Sequence, residues 1–231
     1  MSSVEDTTAI RRASMRLYID SADLSEIKDA LATGYVHGVT TNPTLLRRAN
    51  VQARDVAALV RHASGWGAKH IHLQTYSSSA DAMVREGTEL AALEPHRVVV
   101  KIPAVPEGYA AAARLTAHGL HVTMTAVYTV RQVVLAGAVG AGYVAVYVGR
   151  MRDSGLDALQ LIGQMQHTLD VQHSTVEILA ASVRSPEELD TLAELGVATA
   201  TLPWKVLSRL ADSPATEAAT ATFLEDASAI Q

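Results

Sequence analysis

The sequence predicts an α/β fold, a closed (β/α)8 (TIM) barrel in a single domain. Three observations carry that expectation. Short, continuously apolar, β-branched runs alternate with longer segments of helical period, the pattern of parallel strands buried on both faces. Eight such β-α units follow one another along the chain. The chain has 231 residues, a length at which eight units close around one core.

The elements follow in order. Leu17 to Ile19 reads as a strand and Ala22 to Thr33 as its helix. Gly38 to Thr41 is the second strand, and helical sequence from Pro43 to Ser64 follows, broken near Asn50. Ile71 to Gln74 is a strand and Ser79 to Leu93 a helix. Val98 to Ile102 is almost wholly β-branched, and Pro106 to His118 reads as its helix. Val122 to Thr125, Tyr143 to Tyr147, Ile178 to Ala181 and Ala198 to Leu202 complete the strands. Thr129 to Gly137, Leu156 to Leu169 and Pro186 to Leu195 are the helices between them. The tail from Trp204 to Gln231 is mostly helical. The glycine-rich stretch Gly137 to Gly142 lacks a Gly-Lys-Ser/Thr and reads as the turn before strand six. An open doubly wound sheet is the competing fold, but no Gly-x-Gly-x-x-Gly follows the first strand, so a dinucleotide site has no support.

Composition narrows the function. Net charge is −5, with no basic block, which argues against nucleic acid as a partner. Cysteine is absent, so thiol chemistry and disulfides are excluded and a cytoplasmic location is expected. No apolar run is long enough to span a bilayer. The N-terminus lacks the apolar core of a secretory signal; residues 1–14 are polar and read as a loose extension or helical tail before a barrel domain at 15–231. Lysine occurs only at Lys28, Lys69, Lys101 and Lys205, so a lysine inside a strand stands out.

In such barrels chemistry sits at the C-terminal ends of the strands. Strand one ends at Asp20, and strand two in Thr40, Thr41 and Asn42. The next four end at Gln74, Lys101, Thr125 and Tyr147; strand seven ends at Ser182, with Arg184 just beyond. Each has a plain structural reading: Asp20 and Ser182 could cap helices, and Thr40 could fill a barrel layer. Together they are hard to explain as caps.

Lys101 is the sharpest candidate. It follows Val98-Val99-Val100 and precedes Ile102-Pro103, so its amine is expected in the barrel interior or mouth. Burial disfavours the ammonium, and a neutral amine condenses with a ketone to a Schiff base. The competing reading is a structural ion pair with Asp20. Gln74, Thr125 and Tyr147 flank Lys101 on strands three, five and six and could hold one water beside an imine, a general acid–base arrangement. Arg150, Ser182 and Arg184 follow strands six and seven, where these barrels often build anion sites; a surface ion pair is the alternative for either arginine. His70-x-His72 places two imidazoles on one strand face, but no further ligand spacing supports a metal.

These residues carry a resemblance. Leu17-Tyr18-Ile19-Asp20, Gly38-Val39-Thr40-Thr41-Asn42-Pro43 and Val99-Val100-Lys101-Ile102-Pro103 are similar to the small transaldolases and fructose-6-phosphate aldolases. So are Thr125 to Tyr128, Tyr143 to Arg150 and Leu179 to Ser182, and the resemblance runs from about Leu17 to the final helix. It implies a Schiff base on Lys101, with Asp20 and Asn42 on substrate hydroxyls and Thr40 lining the site. It implies Arg150 and Ser182, with Arg184, at a phosphate, and includes Ala145 among the substrate-binding positions. It implies no metal or organic cofactor, a sugar-phosphate substrate, and a homo-oligomer, commonly a decamer, with the C-terminal helix reaching a neighbouring subunit. Gln74 and Tyr147 resemble the aldolase branch, where transaldolases typically carry Glu and Phe. Val146 and Gly149 depart from that branch, which commonly has Pro and Asn. The implied reaction is reversible cleavage of a ketose phosphate, fructose 6-phosphate foremost; transaldolase activity, action on a sulfo-sugar, and a non-catalytic sugar-phosphate-binding barrel are the alternatives.

Overall fold

A computed structural model describes residues 14–230. The extension expected over residues 1–14 therefore lies outside the described residues, Ser14 excepted. The chain runs β1 (Arg16–Asp20), α1 (Leu24–Ala32), β2 (Val36–Thr40), α2 (Pro43–Arg48), a 3-10 turn at Ala53–Asp55, and α3 (Val56–Gly65). Then come β3 (His70–Gln74), α4 (Ala80–Ala92), β4 (Val98–Pro103), α5 (Pro106–Ala117), β5 (Val122–Val127) and α6 (Val130–Ala138). The rest is β6 (Tyr143–Tyr147), α7 (Val148–Asp153), α8 (Ala158–Val171), β7 (Glu177–Ala181), α9 (Pro186–Glu194), β8 (Thr199–Leu202), α10 (Trp204–Leu207) and α11 (Pro214–Ala229).

All eight strands are parallel, and they pair in sequence order until β8 closes on β1. The expected barrel is the fold. The break near Asn50 is also present, with Asn50 in the left-handed region at φ 55°. One element was not anticipated: α7 begins directly after β6, in a stretch to which the sequence assigned no element. Arg150 and Asp153 therefore sit on a helix.

Alternation along the strands divides the residues between two cores. Val98, Val100 and Ile102 join the large apolar layer between sheet and helices. Lys101, in the same strand, turns the other way, into the barrel. The inner layer is small and mixed: Tyr18, Ala145, Tyr147, Leu179 and Ala181 pack there together. Most helices start on a side-chain cap, as at Asp23, Asn42, Ser79, Asp157 and Ser185, each worth roughly 1 kcal/mol. Proline at the first turn of α2, α5 and α9 reinforces the strand-to-helix switch. These devices fix where each strand ends, and so where its last side chain lies.

Candidate active site

Register places the strand-end residues at one level. Asp20 lies beside Thr40, Gln74 beside Lys101, Pro103 beside Thr125, and Tyr147 beside Ala181. Above them opens a cleft of about 270 Å3, lined among others by Asp20, Asn42, Lys101, Tyr147, Arg150 and Ser182. A larger hollow of about 600 Å3 borders Arg16, Glu177 and Val197 at the opposite end of the barrel, away from Lys101.

Lys101 is 3% exposed. Its Nζ donates to the Thr41 carbonyl at 2.8 Å. No Lys101–Asp20 ion pair closes; the two influence each other through space only. Burial drives the Lys101 amine below the ordinary lysine range; Asp20 opposes that shift and Arg150 adds to it. Burial likewise raises the Asp20 carboxyl, against the counter-pull of Lys101, the Thr40 hydrogen bond and Arg150. Thr40 Oγ1 donates to Asp20 Oδ1 at 2.6 Å and meets Thr201 Oγ1 at 2.7 Å. An amine biased by burial toward its neutral form thus sits near a carboxyl that Thr40 holds by a hydrogen bond, a pair suited to nucleophilic attack and proton transfer.

On the other side, Thr125 Oγ1 and the Tyr147 hydroxyl are 2.8 Å apart, both buried. Burial raises the Tyr147 phenol, so it keeps its proton and can donate. Thr125 reaches Tyr147 across an irregularity in the β5–β6 register, where the next residue, Ala126, has φ 60°. Such strain persists only where the surroundings over-determine it, and it clusters at functional sites. Gln74 is half-buried, next to Lys101 in register, and makes no hydrogen bond to the Thr125–Tyr147 pair.

Tyr147 also faces the outer end of the cleft. The Arg150 guanidinium stacks over its ring at 4.5 Å, a cation–π contact worth about 0.5–2 kcal/mol. Ser182, at φ 59°, ends β7 in a left-handed turn, and its carbonyl accepts from Gly149 at 3.2 Å. Arg184 forks onto Asp153 at 2.8 and 2.5 Å. It forms the surface ion pair that the sequence left open and lines the cleft as well.

Comparison with known proteins decides the family. The family model described as transaldolase/fructose-6-phosphate aldolase matches residues 17–231. The chain belongs to that family. A probable transaldolase of Desulforudis audaxviator is 35% identical over 212 residues, covering 92% of this chain and 97% of that one. One from Moorella thermoacetica is 38% identical over 212 residues with the same coverage, and one from Thermus thermophilus 37% over 218. Among solved structures, a thiamine phosphate pyrophosphorylase from Pyrococcus furiosus superposes with TM-score 0.59 at 14% identity, covering 86% of this chain and 95% of that one. A mandelate oxidase gives 0.58 at 15%, covering 85% and 68%. At those identities the likeness is of fold alone. As a member of the transaldolase/fructose-6-phosphate aldolase family, the chain is an enzyme.

Most of the expected positions converge on one mouth. Asn42 is there, and its Oδ1 also caps α2 by accepting from the Leu45 amide at 3.0 Å, leaving its NH2 for the cleft. Ala145 is not a lining residue: it is fully buried in the inner barrel layer two residues below Tyr147. Its inward direction follows from strand alternation, its depth from lying too far from the strand end. Sequence reasoning missed Arg48 and Lys205, which line the cleft, and Thr201, which steadies Thr40. Lys205 follows strand eight, and that position alone was the signal that could have found it.

His70 and His72 do share a face, at the barrel floor. His70 Nδ1 lies 3.1 Å from the Tyr143 hydroxyl and 3.3 Å from that of Tyr18; His72 Nδ1 lies 2.9 Å from Thr123 Oγ1. No helix among the described residues is long and apolar enough to cross a membrane.

Proposed function

We propose that the protein is a class I aldolase that cleaves a ketose phosphate reversibly, with fructose 6-phosphate giving dihydroxyacetone and glyceraldehyde 3-phosphate. The observation that carries this reading is the Lys101 amine, buried and biased toward neutrality, between the Asp20 carboxyl and the Thr125–Tyr147 hydroxyl pair. Lys101 Nζ attacks the C2 carbonyl and loses water to form a protonated imine, which acts as electron sink. Asp20 takes the C4 hydroxyl proton as the C3–C4 bond breaks and the aldehyde phosphate departs. The enamine is protonated at C3 through a water held by Gln74, Thr125 and Tyr147. Hydrolysis then frees dihydroxyacetone and restores the amine. Thr40 fixes Asp20, Asn42 contacts substrate hydroxyls, and Arg150, Ser182 and Arg184 take the phosphate. No metal or organic cofactor enters this scheme.

Transfer of the dihydroxyacetone unit to an acceptor aldose is the second reading, favoured by the probable-transaldolase relatives. A hydroxyl-bearing relay favours release over transfer, because a water it holds can protonate the enamine. The C-terminal helix supports a homo-oligomer: α11 buries none of its residues, and Phe223 and Leu224 are 68% and 66% exposed. Borohydride with fructose 6-phosphate is expected to fix a three-carbon adduct on Lys101. An adduct elsewhere, or none, would falsify the mechanism. Dihydroxyacetone release measured with and without an aldose phosphate separates the two readings.

A further inference from the structure

The anion end of the cleft is assembled around an empty side-chain position. A Cβ built on Gly149 would lie 2.5 Å from Arg184 Nε, 2.7 Å from the Ser182 carbonyl oxygen and 2.8 Å from Ser182 Oγ. One of those atoms, the backbone carbonyl oxygen of Ser182, cannot retreat cheaply. The Ser182 carbonyl already accepts from the Gly149 amide at 3.2 Å, and Ser182 is held at φ 59°. Gly149 and Asp153 stand four residues apart on α7, hence on one helix face. Arg184 lies across that face, its Nε over Gly149 and its two terminal nitrogens on the Asp153 carboxylate.

The ion pair is an ordinary surface one by exposure, 51% and 57% for the two side chains, and contributes little to stability. Its effect is on geometry. A guanidinium carries five N–H donors, and the fork onto Asp153 engages only some of them, so others remain for a ligand in the cleft. Holding that long side chain before the ligand arrives removes an ordering cost that binding would otherwise carry.

We infer that Gly149 and Asp153 are positioning residues that dock Arg184 beside Ser182 as a second guanidinium in the cleft that Arg150 also lines, and so select a phosphate-bearing substrate over a neutral sugar. This rests on the cleft taking an anion at that end. It explains why a residue lacking a side chain is needed at the second position of α7, where Asn would drive Arg184 off.

The test is a double-mutant cycle read by titration with inorganic phosphate and by steady-state kinetics with fructose 6-phosphate. Gly149→Ala and Gly149→Asn are expected to weaken phosphate binding about tenfold, the effect of losing one charge-assisted hydrogen bond. The kinetic loss falls on KM rather than kcat, and is smaller for an unphosphorylated ketose. In an Arg184→Ala background the same substitution is expected to cost much less, the remainder coming from its push on Ser182. Asp153→Asn, at the surface, should act in the same direction by about threefold, and it decides the matter if the glycine variants do not fold. Losses that persist undiminished without Arg184, or unchanged phosphate affinity in Asp153→Asn, overturn the inference. Phosphate binding that follows the cycle in a protein that turns over no ketose phosphate would defeat the aldolase reading and leave this one standing.

Discussion

The barrel interior has two polar ends, and they are built from similar material for opposite uses. At the mouth stand Asp20, Thr40, Lys101, Thr125 and Tyr147; at the floor stand Tyr18, His37, His70, His72 and Tyr143. Floor rings pack edge to face, with Tyr18 and His72 5.2 Å apart and His72 and Tyr143 5.1 Å apart. Their hydroxyls and nitrogens largely serve one another. At the mouth the same density of polar atoms opens on a cleft, and the amine at its centre has only a backbone carbonyl as partner. What distinguishes the cleft end is therefore access, not polarity. The floor is a filled plug; the mouth holds groups in wait for a ligand.

The comparison breaks most directly at Lys101. Lys101→Met is expected to lower kcat for ketose cleavage on the order of 10^4-fold, as for a covalent nucleophile. It should also raise the melting temperature by roughly 2–4 °C, because an amine buried at a cost is replaced by a fitting apolar chain. Calorimetry and a dihydroxyacetone assay on the same preparation check both. A fall in melting temperature would mean that the mouth is tuned for stability after all.

The floor should lose stability as pH falls, whereas the raised Asp20 carboxyl at the mouth works in the opposite sense. Burial holds His70 down at about 4, against an ordinary 6.5, with neighbouring His37, Arg16 and His121 adding to the shift. His72 and His37 are lowered in the same direction, again chiefly by burial. Between about pH 6.5 and 4 the unfolded chain takes up protons that the folded floor refuses. Stability is thus full above 6.5 and falls as pH drops toward 4, on the order of 2–3 kcal/mol from His70 alone. Urea unfolding across that range shows the slope, and His70→Gln should flatten it. An equal slope in both proteins removes His70 from the account.

Tyr147 tests how far the relay governs outcome. Tyr147→Phe deletes the partner of Thr125 and keeps the ring under Arg150. Dihydroxyacetone release is expected to fall about 10- to 100-fold, the usual worth of one proton-transfer group, while transfer to an acceptor aldose falls less. Equal losses in both assays would separate the relay from the choice between release and transfer.

The mouth was legible in the sequence because strand ends are easy to find. A β-branched run ending in Lys or Asp fixes both the element and the end of it that bears chemistry, and the parallel register then aligns the residues. The floor was less legible. His70-x-His72 told of a shared face but nothing of Tyr18 and Tyr143, which arrive from β1 and β6. Ala145, which the resemblance places among the substrate positions, lies two residues below the strand end and packs in the inner layer, a depth that no motif states. The Arg184–Asp153 fork lay further from view, because it depends on α7, which six residues of sequence did not announce.

Thr123 offers the finest test of the plug. It lies on β5 two residues below Thr125, and its hydroxyl is the hydrogen-bond partner of His72 Nδ1 at 2.9 Å. Thr123→Val keeps the shape and removes that partner, leaving a fully buried imidazole nitrogen unserved. Since His72 Nε2 already lacks a partner among the described residues, the ring would lose its one polar anchor. Stability is expected to drop by about 1–2 kcal/mol, the cost of one orphaned buried group. kcat and KM should stay within about twofold, since Thr125 and Tyr147 above are untouched. Denaturant midpoints and turnover measured side by side decide it. A loss of turnover without a loss of stability would show that the floor reaches the mouth through β5, and that the two ends of the barrel are one site rather than a plug beneath a site.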